Sequence, residues 1–172
     1  MRLLYVCYNN KGRSPALEAY TRHYLGLKGV YEPQVVVDSA GAGVESIRHL
    51  RQTSDHISRT VRRLLHDGGL DLSSETIKHL GEVGTDWDLV LATDSGVVKA
   101  VQEHFPGFAG KLQLAREYAG YRDRLDMRGP YYHQQKFEPS EWTETVGYEL
   151  MLYECKNAAK RIAQRISEES RL

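Results

Sequence analysis

Arg2-Leu3-Leu4-Tyr5-Val6-Cys7-Tyr8-Asn9-Asn10-Lys11-Gly12-Arg13-Ser14-Pro15 decides how the rest of the chain is read. Leu3 to Val6 has the length and composition of a buried strand. Polar residues follow at once. Ser14-Pro15 then opens a helical pattern, with Ser as N-cap and Pro in the first turn. This order puts Cys7 at the end of a strand and Arg13 at the start of a helix, with five residues between them. The N–H groups of such a loop, together with the helix N-terminus, favour an oxyanion. A guanidinium can grip two of its oxygens at once. The same positive surroundings favour a thiolate at Cys7, and the Ser14 hydroxyl can donate to it. The arrangement suits a phosphate held against a nucleophile. A bare Cys-x5-Arg is weak, since a buried Cys and a solvated Arg give the same spacing. The strand, loop and helix around it make it specific.

Working outward, strands alternate with helices. A first helix runs to about Leu25 and ends at Gly26 and Gly29. Val35-Val36-Val37 reads as a second strand, bounded by Pro33 and by Asp38-Ser39-Ala40-Gly41. Ile57, Val61, Leu64 and Leu65 mark a helix stopped by Gly68-Gly69, and a short helix is expected after Leu72. Leu89 to Ala92 is a third strand, followed by a helix carrying Val97, Val98, Val101 and Phe105. Lys111 to Leu114 is a fourth strand. Arg116 to Ser140 is long, charged and aromatic, and loops of that length usually serve a purpose. A last helix runs from about Glu141 to Ile166. The expected fold is a single-domain α/β three-layer sandwich over 1–172. Its four-stranded parallel sheet has order 2-1-3-4, with helices on both faces. Ligands bind such sheets beyond the carboxyl ends of the strands, where Cys7 lies.

Composition narrows the function classes. Lys plus Arg and Asp plus Glu are both 23, so no global charge points to nucleic acid or a membrane surface. No apolar stretch approaches the ~20 residues of a membrane span, and the N-terminus lacks the pattern of a signal peptide. Cys7 and Cys155 are the only cysteines, far apart and without metal-ligand spacing. A reducing cytoplasm is the expected compartment.

With these residues in view, the chain resembles the low-molecular-weight protein tyrosine phosphatase family nearly end to end. Val6-Cys7, Asn10 and Arg13-Ser14-Pro15 match the family's loop. Ser39-Ala40-Gly41, Gly69-Leu70-Asp71-Leu72-Ser73 and Asp86 through Asp94 match later segments, as does Pro130-Tyr131-Tyr132. Departures are also present. The family's general-acid Asp before the Pro is Gly129 here, its glycine after the Cys is Asn9, and the second loop Cys of many members is Gly12. Glu75 and Lys78 stand where a His and an Arg are common, and the segment around 43–55 is longer.

The resemblance implies two-step hydrolysis of a phosphate ester without metal or organic cofactor. Cys7 attacks phosphorus, and Arg13 and the amides of Tyr8 through Arg13 hold the oxygens. Ser14 assists the thiolate, while Asn10 and Ser39 brace the loop. Tyr8, Asn9, Lys11 and Gly12 complete the phosphate-binding loop, and Tyr131 and Tyr132 flank its entrance. Asp126 is the first candidate for the acid that protonates the leaving oxygen, Asp123 the second, with Glu117 and Glu138 more distant. The implied partners are a phosphorylated protein or small phosphate ester as substrate and inorganic phosphate as product. The alternatives are a phosphoarginine phosphatase, an arsenate reductase-like enzyme, or a module that binds phospho-ligands with little turnover. Cys155, on the apolar stripe of the last helix, reads as a small buried hydrophobe.

Overall fold

Leu3, Leu4, Tyr5 and Val6 are all fully buried, because the strand that carries them is covered on both faces and successive side chains point to opposite sides. The computed structural model describes residues 1–43, 55–70, 77–130 and 144–170. That first strand, β1 (Arg2–Cys7), lies inside a parallel sheet with β2 (Val36–Gly41), β3 (Leu89–Ala92) and β4 (Leu112–Leu114), in the order β2-β1-β3-β4. The expected strand order is therefore the observed one. The helices are α1 (Arg13–Gly26), α2 (Asp55–Asp67), α3 (Ser95–His104), the single turn α4 (Ala115–Tyr118) and α5 (Glu144–Glu169).

Two cores flank the sheet. Leu3 and Tyr5 pack with Leu17 of α1, Val61 of α2, and Met151 and Ile162 of α5. Leu4 and Val6 pack on the other face with Leu80, Trp87 and the α3 residues Val97 and Val101. Each fully buried Leu of this kind contributes about 1.5–3 kcal/mol. β1 is thus held from both sides, which fixes where Cys7 emerges.

Three boundaries differ from the sequence reading. β2 does not stop at Val37 but continues to Gly41, in register with β1 as far as Cys7↔Gly41. Small residues there let the loop after β1 approach the strand. Ser14 does not cap α1; the helix begins at Arg13, Gly12 is the cap residue, and it gives no side-chain cap bond. The Ser14 hydroxyl is engaged elsewhere, as described below. α5 runs from Glu144 to Glu169, beyond the expected Ile166. The helix expected after Leu72 lies outside the described residues, as do Tyr131, Tyr132, Glu138 and most of the 43–55 segment. Among the described residues, no helix is long and apolar enough to cross a membrane.

Candidate active site

β1 ends at Cys7, and the chain crosses to α1 in five residues. The crossing needs a left-handed residue. Asn10 takes that conformation at φ 52, and Asn is among the side chains that tolerate it best. The turn aims the Asn10 backbone N–H at Cys7 Sγ, 3.2 Å away. The Ser14 hydroxyl, from the first turn of α1, donates to the same sulfur at 2.9 Å. Two donors therefore converge on the sulfur of a residue that is only 3% exposed.

A buried network fixes the direction of these bonds. Ser39 Oγ donates to the carboxylate of Glu18 at 2.7 Å, so Ser39 accepts from Asn10 Nδ2 at 2.9 Å. Asn10 Nδ2 also donates to Ser14 Oγ at 3.1 Å. Asn10 Oδ1 accepts from the backbone N–H of Lys78 at 2.9 Å, which sets the amide's orientation. Ser14, already an acceptor, has its hydrogen left for Cys7. Glu18 is itself 3% exposed and pairs with Arg22. The Lys78 ammonium instead pairs with Asp38, with its nearest oxygen at 2.5 Å.

Close packing also holds the loop. A Cβ on Gly41 would come within 2.9 Å of the Tyr8 carbonyl oxygen and 3.0 Å of the Asn10 nitrogen, both backbone atoms. On the opposite side a Cβ on Gly12 would meet Met151 Sδ at 3.2 Å. The loop is thus clamped between β2 and α5. Tyr8 stands at its rim and is 40% exposed. Lys11, expected as part of the phosphate-binding loop, is buried at 7% exposure. Asn9 Oδ1 is buried without a hydrogen-bond partner among the described residues.

Arg13 is positioned by one of its two terminal nitrogens. Nη1 donates to Asp94 Oδ2 at 2.6 Å and to the Met127 carbonyl at 2.8 Å. The Nε–Nη2 edge has no protein partner among the described residues, so it can grip two oxygens of one anion. Asp94 is fixed in turn. Its Oδ1 caps α3 by accepting from the Val97 N–H at 2.9 Å, and Oδ2 also accepts from the Thr93 hydroxyl at 3.2 Å. Sequence reasoning gave Asp94, Glu18 and Lys78 no role in the site. The signal for Asp94 was its place as a cap residue directly before Ser95-Gly96. Glu18 stands four residues after Ser14 and four before Arg22, one helical face.

Asp126 lies on the loop between α4 and α5. Its Oδ1 accepts from the Ser95 N–H at 2.7 Å and its Oδ2 from the Ser95 hydroxyl at 2.8 Å. With Arg13 it lines a cavity of about 660 Å³. Asp123 and Glu117 are exposed. Cys155 is fully buried beneath the start of α1, its sulfur 3.8 Å from the Arg13 carbonyl oxygen. Burial pushes its thiol up, while the charge of Arg13 acts the other way. It is a packing residue, as the sequence reading held. No group of three or more His, Cys, Asp or Glu that could hold a metal ion occurs among the described residues.

An anion cradle built on a Cys, five residues and an Arg at a helix start is what the family resemblance requires, and the family profile agrees. The profile described as Low molecular weight phosphotyrosine protein phosphatase matches residues 2–172. The chain belongs to that family. It is a hydrolase of the phosphatase class. Solved structures of the same fold include the low molecular weight protein tyrosine phosphatase from T. tengcongensis, at 23% identity and TM-score 0.72, covering 96% of this chain and 99% of that one. The YwlE arginine phosphatase from Geobacillus stearothermophilus is 25% identical with TM-score 0.69, covering 98% and 94%. A cysteine-to-serine mutant of a YwlE arginine phosphatase, with a phosphorylated active-site serine, is 19% identical with TM-score 0.72, covering 99% of each chain. No curated protein sequence matches.

Proposed function

We propose that this phosphatase hydrolyses protein phosphotyrosine through a cysteinyl-phosphate on Cys7. The observation that carries the reading is the pair of donors, Ser14 Oγ and Asn10 N, on a sulfur in the same loop as an arginine whose Nε–Nη2 edge has no partner among the described residues. Sulfur attacks phosphorus, and the bond to the leaving oxygen breaks. Water then attacks phosphorus, the S–P bond breaks, and inorganic phosphate departs. Arg13 and the loop amides stabilise the equatorial oxygens in both transition states. Ser14 stabilises the sulfur as it leaves. The phosphorylated serine in a similar structure supports covalent transfer to this loop position.

Asp126 supplies the proton to the leaving oxygen. Among the described carboxylates it shares a cavity with Arg13 without being paired to an arginine. To act, it exchanges its bond from Ser95 Oγ for the leaving oxygen. Phosphoarginine is the second reading, because the similar structures include arginine phosphatases.

The test is hydrolysis of p-nitrophenyl phosphate, a phosphotyrosine peptide and a phosphoarginine peptide by wild type, Cys7→Ser and Asp126→Asn. Cys7→Ser is expected to lose on the order of a thousandfold or more on every substrate. General acid catalysis is worth about 10²–10⁴-fold, so Asp126→Asn should slow the phosphotyrosine peptide, a poor leaving group, far more than the nitrophenyl ester. Turnover that survives in Cys7→Ser ends the phosphatase reading for this site. Undiminished peptide turnover in Asp126→Asn removes Asp126 from the acid role and turns attention to Asp123, the next candidate. A faster phosphoarginine peptide makes that the substrate.

A further inference from the structure

Arg124 has an unusual backbone. It lies at φ 42, in the left-handed region that a long side chain occupies only at a cost of roughly 1–2 kcal/mol. It is exposed, and no ion pair holds its guanidinium among the described residues. Strain of this kind tends to be kept where a side chain has work to do. The side chain borders the 660 Å³ cavity that also takes in Arg13, Asp94, Leu114, Asp126 and Arg128. That size is within the range of pockets that bind small groups.

The charges in this cavity are not equivalent. Asp94 is matched by Arg13, Thr93 and the Val97 N–H. Asp126 is matched by two donors of Ser95. Both carboxylates are therefore satisfied from within the protein, while Arg124 brings a positive charge and Leu114 an apolar wall. The Met127 side of the cavity is anchored, since the Met127 N–H donates to the Thr93 carbonyl at 2.8 Å and the Met127 carbonyl accepts from Arg13. Arg13 joins the two places. It lines this cavity together with its partner Asp94, and its Nε–Nη2 edge has no partner among the described residues. On the phosphatase reading that edge holds the phosphate, so the cavity adjoins the substrate.

We infer that this cavity is a recognition pocket for an acidic residue of the substrate polypeptide near its phosphorylated residue, with Arg124 as the group that reads its charge. The inference rests on the phosphatase reading above for the placement of the substrate. It adds the kind of sequence the enzyme prefers, which is acidic rather than neutral or basic.

The experiment uses two phosphotyrosine peptides that differ only in Glu or Gln at the flanking positions. The readout is the ratio of kcat/KM for the Glu peptide to that for the Gln peptide. Binding of both labelled peptides to Cys7→Ser, measured by fluorescence anisotropy, gives the same ratio without turnover. An exposed pair of this kind supports a ratio of about three- to fivefold at low salt, shrinking as ionic strength rises. Arg124→Asn removes the charge but keeps a residue that tolerates the left-handed backbone, so the ratio should fall to one. Arg124→Lys should retain most of the preference, and Arg124→Glu should invert it. A wild-type ratio of one, or a preference that persists in Arg124→Asn, overturns the inference. If both peptides are hydrolysed in a Cys7-dependent way, the phosphatase reading survives that failure. If neither is turned over, the anisotropy ratios alone decide whether the pocket reads charge.

Discussion

The loop from Cys7 to Ser14 and the loop from Arg124 to Gly129 meet at Arg13, yet they are built in opposite ways. The first is buried. Its conformation is fixed by hydrogen bonds among Asn10, Ser14, Ser39 and Glu18, and by backbone contact with Gly41. The second exposes Arg124 and Asp126, buries Met127 alone, carries two arginines, and is tied down at separate points, Ser95, Thr93, Arg13 and Glu154. On the proposed function, the difference separates two tasks. Holding a phosphate tolerates little displacement, which suits the close-packed and braced loop. Reading a charge near the rim tolerates more solvent, which suits the loop that carries Arg124.

Substitutions in the two loops should separate along this line. The largest effect is expected for Arg13→Lys. Lysine keeps the charge but cannot hold two oxygens while anchored to Asp94, so kcat/KM on p-nitrophenyl phosphate should fall by about 10²–10³-fold. A loss smaller than tenfold would mean that point charge alone suffices there. Next is Gly41→Ala. The added Cβ meets backbone atoms that cannot swing aside, so thermal or chemical denaturation should show about 1–3 kcal/mol of destabilisation. Ser14→Ala follows, because it removes one of two donors to the sulfur and the Ser14 acceptor of one Asn10 Nδ2 N–H, the other N–H staying on Ser39. A hydrogen bond to a charged group is worth about 1.5–3 kcal/mol, so kcat should drop by at least ~10-fold, with the larger share in phosphoenzyme breakdown seen as a burst. The smallest effect is expected for Gly129→Ala in the other loop. Nothing lies within 4 Å of its Cβ position, so stability should stay within about 0.5 kcal/mol. Equal destabilisation by the two glycine substitutions would erase the contrast between the loops.

Much of the first loop was legible because its signals are local. The apolar run of β1, the polar turn and Ser14-Pro15 sit next to one another in sequence, and each has a mechanism that depends on short range. Ser14 itself was read correctly as a donor to Cys7 and incorrectly as a helix cap. A capping serine accepts a backbone N–H through its oxygen, but α1 begins one residue earlier, and the Ser14 oxygen instead accepts from Asn10 Nδ2 while its hydrogen goes to Cys7. The burial of Lys11 was not legible locally: loop lysines are usually solvated, but this loop is covered by neighbouring elements and its lysine is buried with it.

The sequence by itself determined the alternation of strands and helices, their order in the sheet, and the placing of Cys7 at a strand end with Arg13 at a helix start. Periodicity, turn residues and a thiol–guanidinium spacing are all written within a few residues of one another. Only the tertiary structure decided which groups complete the site. Asp94 reaches Arg13 across 81 positions, Lys78 reaches Asn10 across 68, and the Met127 carbonyl reaches Arg13 across 114. No local pattern encodes those distances. They exist because a parallel sheet brings the carboxyl ends of β1, β2 and β3 to one edge, where loops far apart in the chain share one set of hydrogen-bond partners.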